Sequence, residues 1–172
     1  MMKRAAITAV AMLAIAGVPN VAQADSPDPG AFAICDGGWK TDIYAQSKKH
    51  LGKGPVYKDG PGGTLVLART QAGTASTAIT AGAGVTVSGI VAEAKIEVSR
   101  EAVKAVSWGT QHQYRRDITR GKYGNAQHGS WGHAVKWQKY YQLPDCKKTQ
   151  VTHGTADVAN TVIGFKYWET TS

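Results

Sequence analysis

The chain has 172 residues, of which 20 are basic and 12 acidic, giving a formal net charge of +8. This length fits one domain, and a hydrophobic content of 42% excludes wholesale disorder. Two cysteines are too few for a cystine-rich miniprotein or a four-thiolate zinc site, and the 20 glycines show no collagen-like period.

The first 24 residues have the pattern of a secretory signal peptide. Lys3 and Arg4 precede an apolar segment, residues 5–18, and Ala22-Gln23-Ala24 forms a small-residue cleavage site. The alternative is a buried N-terminal helix. We expect a secreted, extracellular protein without a transmembrane span, since the apolar segment is too short to cross a bilayer. Removing the signal leaves a net charge of +6.

The two cysteines are expected to form a disulfide. Outside the cytoplasm, an even number of cysteines in a small domain usually pairs. Cys35 and Cys146 would then enclose 110 residues, and the chain-entropy model assigns about 4.7 kcal/mol to a loop of roughly 100 residues. Two free thiols or an intermolecular bridge are the alternatives.

Three segments follow in the expected domain, residues 35–172, after a flexible leader or edge strand at 25–34. Residues 40–63 are polar and rich in turn residues, which predicts a solvated loop. That loop carries a basic cluster of Lys48, Lys49, His50, Lys53 and Lys58. Residues 64–81 predict one long strand, because Thr and Val favour extended backbone and small side chains alternate with hydroxyls over 74–80. Residues 88–96 fit a short helix or a continuous strand, and we expect the chain to be extended again by Val98.

An aromatic strand is predicted further along the chain. Trp131, Trp137 and Tyr141 share one of its faces with His133, Val135 and Lys139. These three aromatic side chains are candidates for stacking on a ligand such as a sugar, and the alternative is that they form the core of a small sheet. The predicted fold is mainly β, an elongated antiparallel sheet or sandwich with a long strand pair and one short helix.

No catalytic signature is present. The sequence has no H-E-x-x-H, no G-x-S-x-G, no phosphate loop and no dinucleotide fingerprint. Glu93, Glu97 and Glu101 fit a solvated helix face rather than a glycosidase pair. We therefore expect a protein that is not an enzyme and that carries no catalytic residues, no metal and no cofactor. Secretion also argues against nucleic acid as its partner.

Four stretches resemble small secreted β-rich proteins of filamentous actinobacteria. They are G-P-G-G-T-L at 60–65, A-G-A-G-V-T-V-S-G-I-V-A-E-A-K at 81–95, K-Y-G-N-A-Q-H-G-S-W-G at 122–132 and Y-W-E-T at 167–170. Proteins of this kind include adaptor subunits of umbrella toxin particles, which join a lectin subunit to a large toxin polypeptide. The uncharged stretch 70–92 also resembles the insertion hairpin of aerolysin-type pore formers, although Glu93, Lys95 and Glu97 interrupt a lipid-facing pattern.

The expected function is that of a secreted adaptor or binding subunit in an antibacterial toxin complex. Its partners would be larger secreted proteins, with the cell envelope or a carbohydrate as a further candidate. The residues expected to contact a protein partner are Phe32, Ile34, Val85, Val87 and Ile90, because the leader offers an edge strand and the uncharged segment offers apolar surface. A membrane-active β-hairpin protein and a small envelope hydrolase are the alternatives.

Overall fold

The computed structural model describes residues 34–68 and 70–172. The predicted signal peptide and most of the predicted leader, including Phe32, lie outside the described residues. Within them the chain is mainly β, with antiparallel sheets, long strand pairs and one helix. This confirms the predicted fold class.

The strands run in chain order from β1 to β11, with the helix between β5 and β6. Their bounds are β1 Gly38–Gly52, β2 Tyr57–Asp59, β3 Gly63–Leu67, β4 Gly73–Ser76, β5 Ala78–Ala81, α1 Val87–Glu97, β6 Ala102–Val103, β7 Ala105–Trp108, β8 Tyr114–Ile118, β9 Tyr123–Gln142, β10 Lys148–Asn160 and β11 Ile163–Thr170.

Strand β9 is the centre of a seven-stranded sheet. Along one edge it pairs with β1 and then β2, and along the other with β10 and then β11, always antiparallel. Strands β5 and β6 pair with the outer edge of β10. The remaining strands form two separate ribbons, β3 with β8 and β4 with β7.

The two halves of β9 are covered on opposite faces. Side chains alternate along a strand, so the odd-numbered residues of β9 define an odd face of the sheet and the even-numbered residues an even face. Helix α1 covers the odd face of the C-terminal half, where Ile90 packs with Val135 and Trp137. The β3–β8 ribbon covers the even face of the N-terminal half, where Leu65 packs near Ala126. Each half therefore leaves one face of the sheet uncovered by these elements.

Helix α1 confirms the prediction of a helix at 88–96. Thr86 caps it, because its side chain accepts a hydrogen bond of 3.1 Å from the backbone N–H of Gly89. Ile90, Val91 and Ala94 form its buried side. The chain returns to a strand at Ala102 rather than at the predicted Val98.

The prediction of one long strand at residues 64–81 is wrong. The segment forms β3, β4 and β5, which pair with three different partners, β8, β7 and β10. The separate strands pack closely against their partners. Gly73 in β4 lies so close to Trp108 that an added Cβ would be 2.7 Å from the indole Cζ2 atom. Thr77, between β4 and β5, donates its hydroxyl to the carbonyl of Val103 and accepts the N–H of Ala159.

The prediction of a solvated loop at residues 40–63 is also wrong. The segment contains nearly all of β1, which pairs with β9 from Gly38↔Gln142 to Gly52↔Gly129, and it contains β2. Strand β1 is the terminal strand of its sheet. Because an edge strand tolerates lysines and other polar side chains, its composition is that of a loop.

Candidate interaction surfaces

The disulfide between Cys35 and Cys146 is present, as predicted. Their Cα atoms are 5.1 Å apart, and the backbone N–H of Cys35 donates to the carbonyl of Pro144 at 3.1 Å. These two links join the segment that leads into β1 to the turn that follows β9. The first described residue, Ile34, is 88% exposed beside them.

The residues predicted to bind a protein partner have different environments. Ile34 is exposed, whereas Ile90 is fully buried against the sheet and is part of the core. Val85 packs partly against the same core, and Val87 is half-buried in the first turn of α1. Ile90 is therefore not available to a partner, and Phe32 lies outside the described residues.

The three predicted stacking residues lie on one face of β9 but do not form one continuous exposed surface. Trp137 is fully buried beneath α1, while Trp131 is 40% exposed. Tyr141 packs edge-on against Trp39, with ring centroids 5.6 Å apart. Since the buried Trp137 separates the other two, only Trp131 and Tyr141 remain accessible, at separate ends of the face.

The outer edge of β1 is a surface that the sequence did not predict. Within the described residues, β1 pairs with β9 alone, and a β-bulge lies between Ile43 and Ala45. After the bulge the register runs unbroken through residues 45–52. Tyr44 and the following residues as far as Lys49 are exposed.

Every second amide of this segment points away from the sheet. Lys53 donates its N–H to the carbonyl of His128, its register partner, at 3.0 Å. The N–H groups of Leu51, Lys49 and every second residue back to the bulge therefore point toward β9 as well. The amides that point outward are therefore those of Gln46, Lys48, His50 and Gly52.

The uncovered even face near the C-terminal end of β9 is polar, and its carboxylates Asp157 and Asp42 are paired with lysines. Lys49 bonds Asp157 at 2.6 Å across a groove of about 420 Å³, which Ser47 and Thr155 also line. Farther along, Lys148 bonds Asp42 at 3.1 Å. Each of these carboxylates has its own lysine, so neither forms a pair of acids over a common reacting atom.

Hydrogen bonds determine the charge state of Asp42. Partial burial by itself would raise the pKa of this carboxyl group, but hydrogen bonds from Lys148, Tyr140 and Gln138 outweigh that effect and hold its pKa below the ordinary value. The Asp42 network therefore favours a charged carboxylate that fixes the side chains of β1, β9 and β10 in place.

His50 and His128 are occupied by packing and backbone contacts. His50 lies 3.1 Å from the carbonyl oxygen of Gly164 through Nε2 and packs against Trp131. His128 is buried among Trp108, His112 and Phe165, with ring centroids 4.5 to 4.9 Å away. Within residues 34–68 and 70–172, no cluster of three or more His, Cys, Asp or Glu side chains suited to a metal occurs.

Acidification is expected to destabilise the protein through His128. This side chain is only 3% exposed and its Nδ1 has no hydrogen-bond partner. Burial, with His112 and His50 nearby, lowers the pKa of His128 to about 4 from 6.5. The unfolded chain therefore takes up the proton first, and stability present at neutral pH is lost as pH falls from 6.5 toward 4. We expect a loss of about 2 kcal/mol between pH 7.5 and pH 5 in urea unfolding.

The variant His128→Phe tests this mechanism. Phenylalanine keeps the ring packing and removes both the unpaired nitrogen and the titration, so we expect stability at pH 7.5 to be retained and most of the pH dependence to disappear. His50 and His133, whose pKa values are also lowered by burial, supply the remainder. His153→Gln, at an exposed position of β10, is the control and should retain the full pH dependence. An equally steep pH dependence in His128→Phe would refute the assignment.

Comparison with known proteins adds no assignment. No protein-family model matches the chain, and no curated protein sequence matches it. Among the described residues, no helix is long and apolar enough to cross a bilayer.

Proposed function

We propose that the chain is a secreted, non-enzymatic adaptor that binds a larger secreted protein by accepting one of its strands at the outer edge of β1. The observation that carries the proposal is the unbroken register of residues 45–52, whose alternate amides point outward and pair with no strand of the described chain. Such an edge accepts an extended segment of a partner, whose backbone supplies the hydrogen bonds.

The side chains of this edge favour an acidic partner strand. Lys48 pairs with His133 and lies on the odd face of the sheet, and Lys49 pairs with Gly132 and lies on the even face. Both lysines are exposed. Lys49 already bonds Asp157 at 2.6 Å, whereas Lys48 forms no salt bridge with a described residue. A partner strand with a carboxylate on the odd face would place an opposite charge beside Lys48, and opposite charges across a strand pair stabilise it. Lysines and the bulge before Ala45 also discourage random strand addition.

The signal-peptide pattern and the disulfide support secretion, because disulfides persist in oxidising compartments. An adaptor in a secreted antibacterial toxin complex, the role of the umbrella-particle subunits found among the small secreted proteins that the chain resembles, fits a small domain with a long unpaired strand edge.

Removing one outward amide tests the proposal. Gln46→Pro deletes an N–H that points away from β9 and is tolerated by an edge strand, so the fold should persist. We expect the wild-type chain to co-purify a larger protein from culture supernatant and Gln46→Pro to lose it. Gln46→Ala, which keeps the amide, is the matched control and should retain the partner.

Two results would overturn this proposal. One is capture by Gln46→Pro equal to capture by the wild-type chain. The other is capture that depends on residues 25–34 but not on the Gln46 amide, which would assign docking to the leader. Thermal midpoints of the two Gln46 variants, measured alongside, show whether loss of capture comes from loss of the fold.

A further inference from the structure

The uncovered odd face near the N-terminal end of β9 combines lysines with aromatic rings. Strands β1, β2, β9 and β11 contribute to it by their registers. We name it the lysine–aromatic face, and it consists of Lys48, His50, Lys58, Tyr123, Gln127, Trp131, Lys166 and Trp168.

Direct contacts hold the cations against the rings. The Lys58 Nζ lies 4.6 Å from the ring centroid of Tyr123, and the Lys166 Nζ lies 5.8 Å from that of Trp168. Trp131 packs on His50 with ring centroids 4.6 Å apart. The rings and ammonium groups are therefore spread along roughly 26 Å of strand, at about 3.3 Å per residue from Tyr123 to Trp131.

The positive charge of this face is not neutralised by the chain. Lys48, Lys58 and Lys166 form no salt bridge with any described residue. The nearest acidic residues of β2 and β11, Asp59 and Glu169, both pair with Gly124 and so lie on the even face. This differs from the open polar face at the other end of the sheet, where each carboxylate bonds a lysine.

We propose that the lysine–aromatic face binds an acidic polysaccharide. Carboxylates of the polymer would pair with the Lys58 and Lys166 ammonium groups, and the apolar faces of its sugar rings would pack on Trp131 and Trp168. The Nε2 of Gln127 donates to the carbonyl of Gly54 at 3.2 Å. Its amide oxygen would accept a hydrogen bond from a sugar hydroxyl.

The choice of a carboxylate polysaccharide rests on the lysines and the aromatic rings together. The cations of the face are all lysines, which act as point charges, and the aromatic rings beside them offer a packing surface for the sugar rings of a carboxylate polymer. Arg116 belongs to β8, and its guanidinium lies over Tyr167 on the even face, 5.6 Å from the ring centroid. This inference is tested independently of the adaptor proposal, since it concerns a different partner and the residues substituted in its test, Lys58, Lys166 and Trp131, lie outside β1.

The test measures binding of the purified chain to polygalacturonate, a carboxylate-only polysaccharide, at 150 mM NaCl. Lys58→Gln with Lys166→Gln is expected to weaken binding at least tenfold, and Trp131→Ala about fivefold. Lys104→Gln with Lys136→Gln changes the net charge equally at exposed positions elsewhere, and it should weaken binding less than twofold. Dextran, a neutral polysaccharide, should bind poorly.

Several results would overturn the inference. No binding to polygalacturonate, or equal weakening by the two lysine pairs, would remove the face as a specific site. Stronger binding to single-stranded DNA or to phosphatidylglycerol vesicles than to polygalacturonate would assign it to another class of ligand. Circular dichroism verifies the fold of each variant, and if the Lys58/Lys166 pair does not fold, Lys166→Gln alone gives the answer by the same criterion.

Discussion

Replacing Cys35 and Cys146 together by alanine is expected to lower the free energy of unfolding by about 4 kcal/mol. The bridge joins residues 111 positions apart, so its loss restores a large amount of conformational entropy to the unfolded chain. Since typical domains have about 5–15 kcal/mol of stability in total, this change brings the chain close to unfolding at physiological temperature. Urea titration followed by tryptophan fluorescence measures it.

Reduction of the wild-type chain provides the control for the disulfide. Wild-type protein treated with a reductant should unfold at the same urea concentration as the double alanine variant, because both lack the same covalent link. Equal midpoints for oxidised and reduced wild-type protein would show that the bridge contributes nothing to stability.

Trp137→Ala is expected to cost about 3–5 kcal/mol. The indole is fully buried and lies over two glycines, where a Cβ on Gly154 would be 2.1 Å and one on Gly82 2.7 Å from its Cζ2 atom. The two glycines have no side chains that could fill the space that remains. Trp137→Phe should cost less, because it leaves a smaller cavity and removes the Nε1–H, which is buried without an acceptor.

Trp131→Ala is the matched control for Trp137→Ala. The two tryptophans lie on the same face of the same strand, but Trp131 is 40% exposed, so its loss should cost less than about 1 kcal/mol. Equal losses of stability in the two alanine variants would contradict the placement of α1 over one half of the face only.

The comparison of these two tryptophans shows what strand alternation predicts and what it does not. Alternation places Trp131 and Trp137 correctly on one face of β9. Which part of the face is buried depends on where α1 packs, which is a contact between segments far apart in sequence. The stacking site predicted at Trp131, Trp137 and Tyr141 was for this reason split by the core.

Local signals predicted the elements that have their own periodicity or chemistry. The apolar side of residues 88–96 favours a helix and leaves a continuous strand as the alternative, whereas the disulfide follows from the even number of cysteines and the predicted secretory signal. Strand β1 was not recognised, because an edge strand with lysines on both faces has no apolar alternation. The sequence predicts a single strand at 64–81 where the structure has three, since nothing local indicates that the three pieces pair with β8, β7 and β10.

The opposite coverage of the two halves of β9 accounts for both proposed surfaces. With α1 on the odd face at one end and the β3–β8 ribbon on the even face at the other, the lysine–aromatic face stays open, while the outer edge of β1 runs alongside both halves. A chain arranged in this way can hold a protein strand at its edge and a polymer on its face.

Hydrogen–deuterium exchange on the complex purified from culture supernatant tests the adaptor proposal most directly. The outward amides of Gln46, Lys48, His50 and Gly52 should exchange much more slowly in the complex than in the free chain, because a partner strand would bond them. The inward amides of Ser47, Lys49 and Leu51, which face β9, should be slow in both states. A chain recovered without a partner, or a complex in which the outward amides exchange as fast as in the free chain, would contradict strand addition at β1.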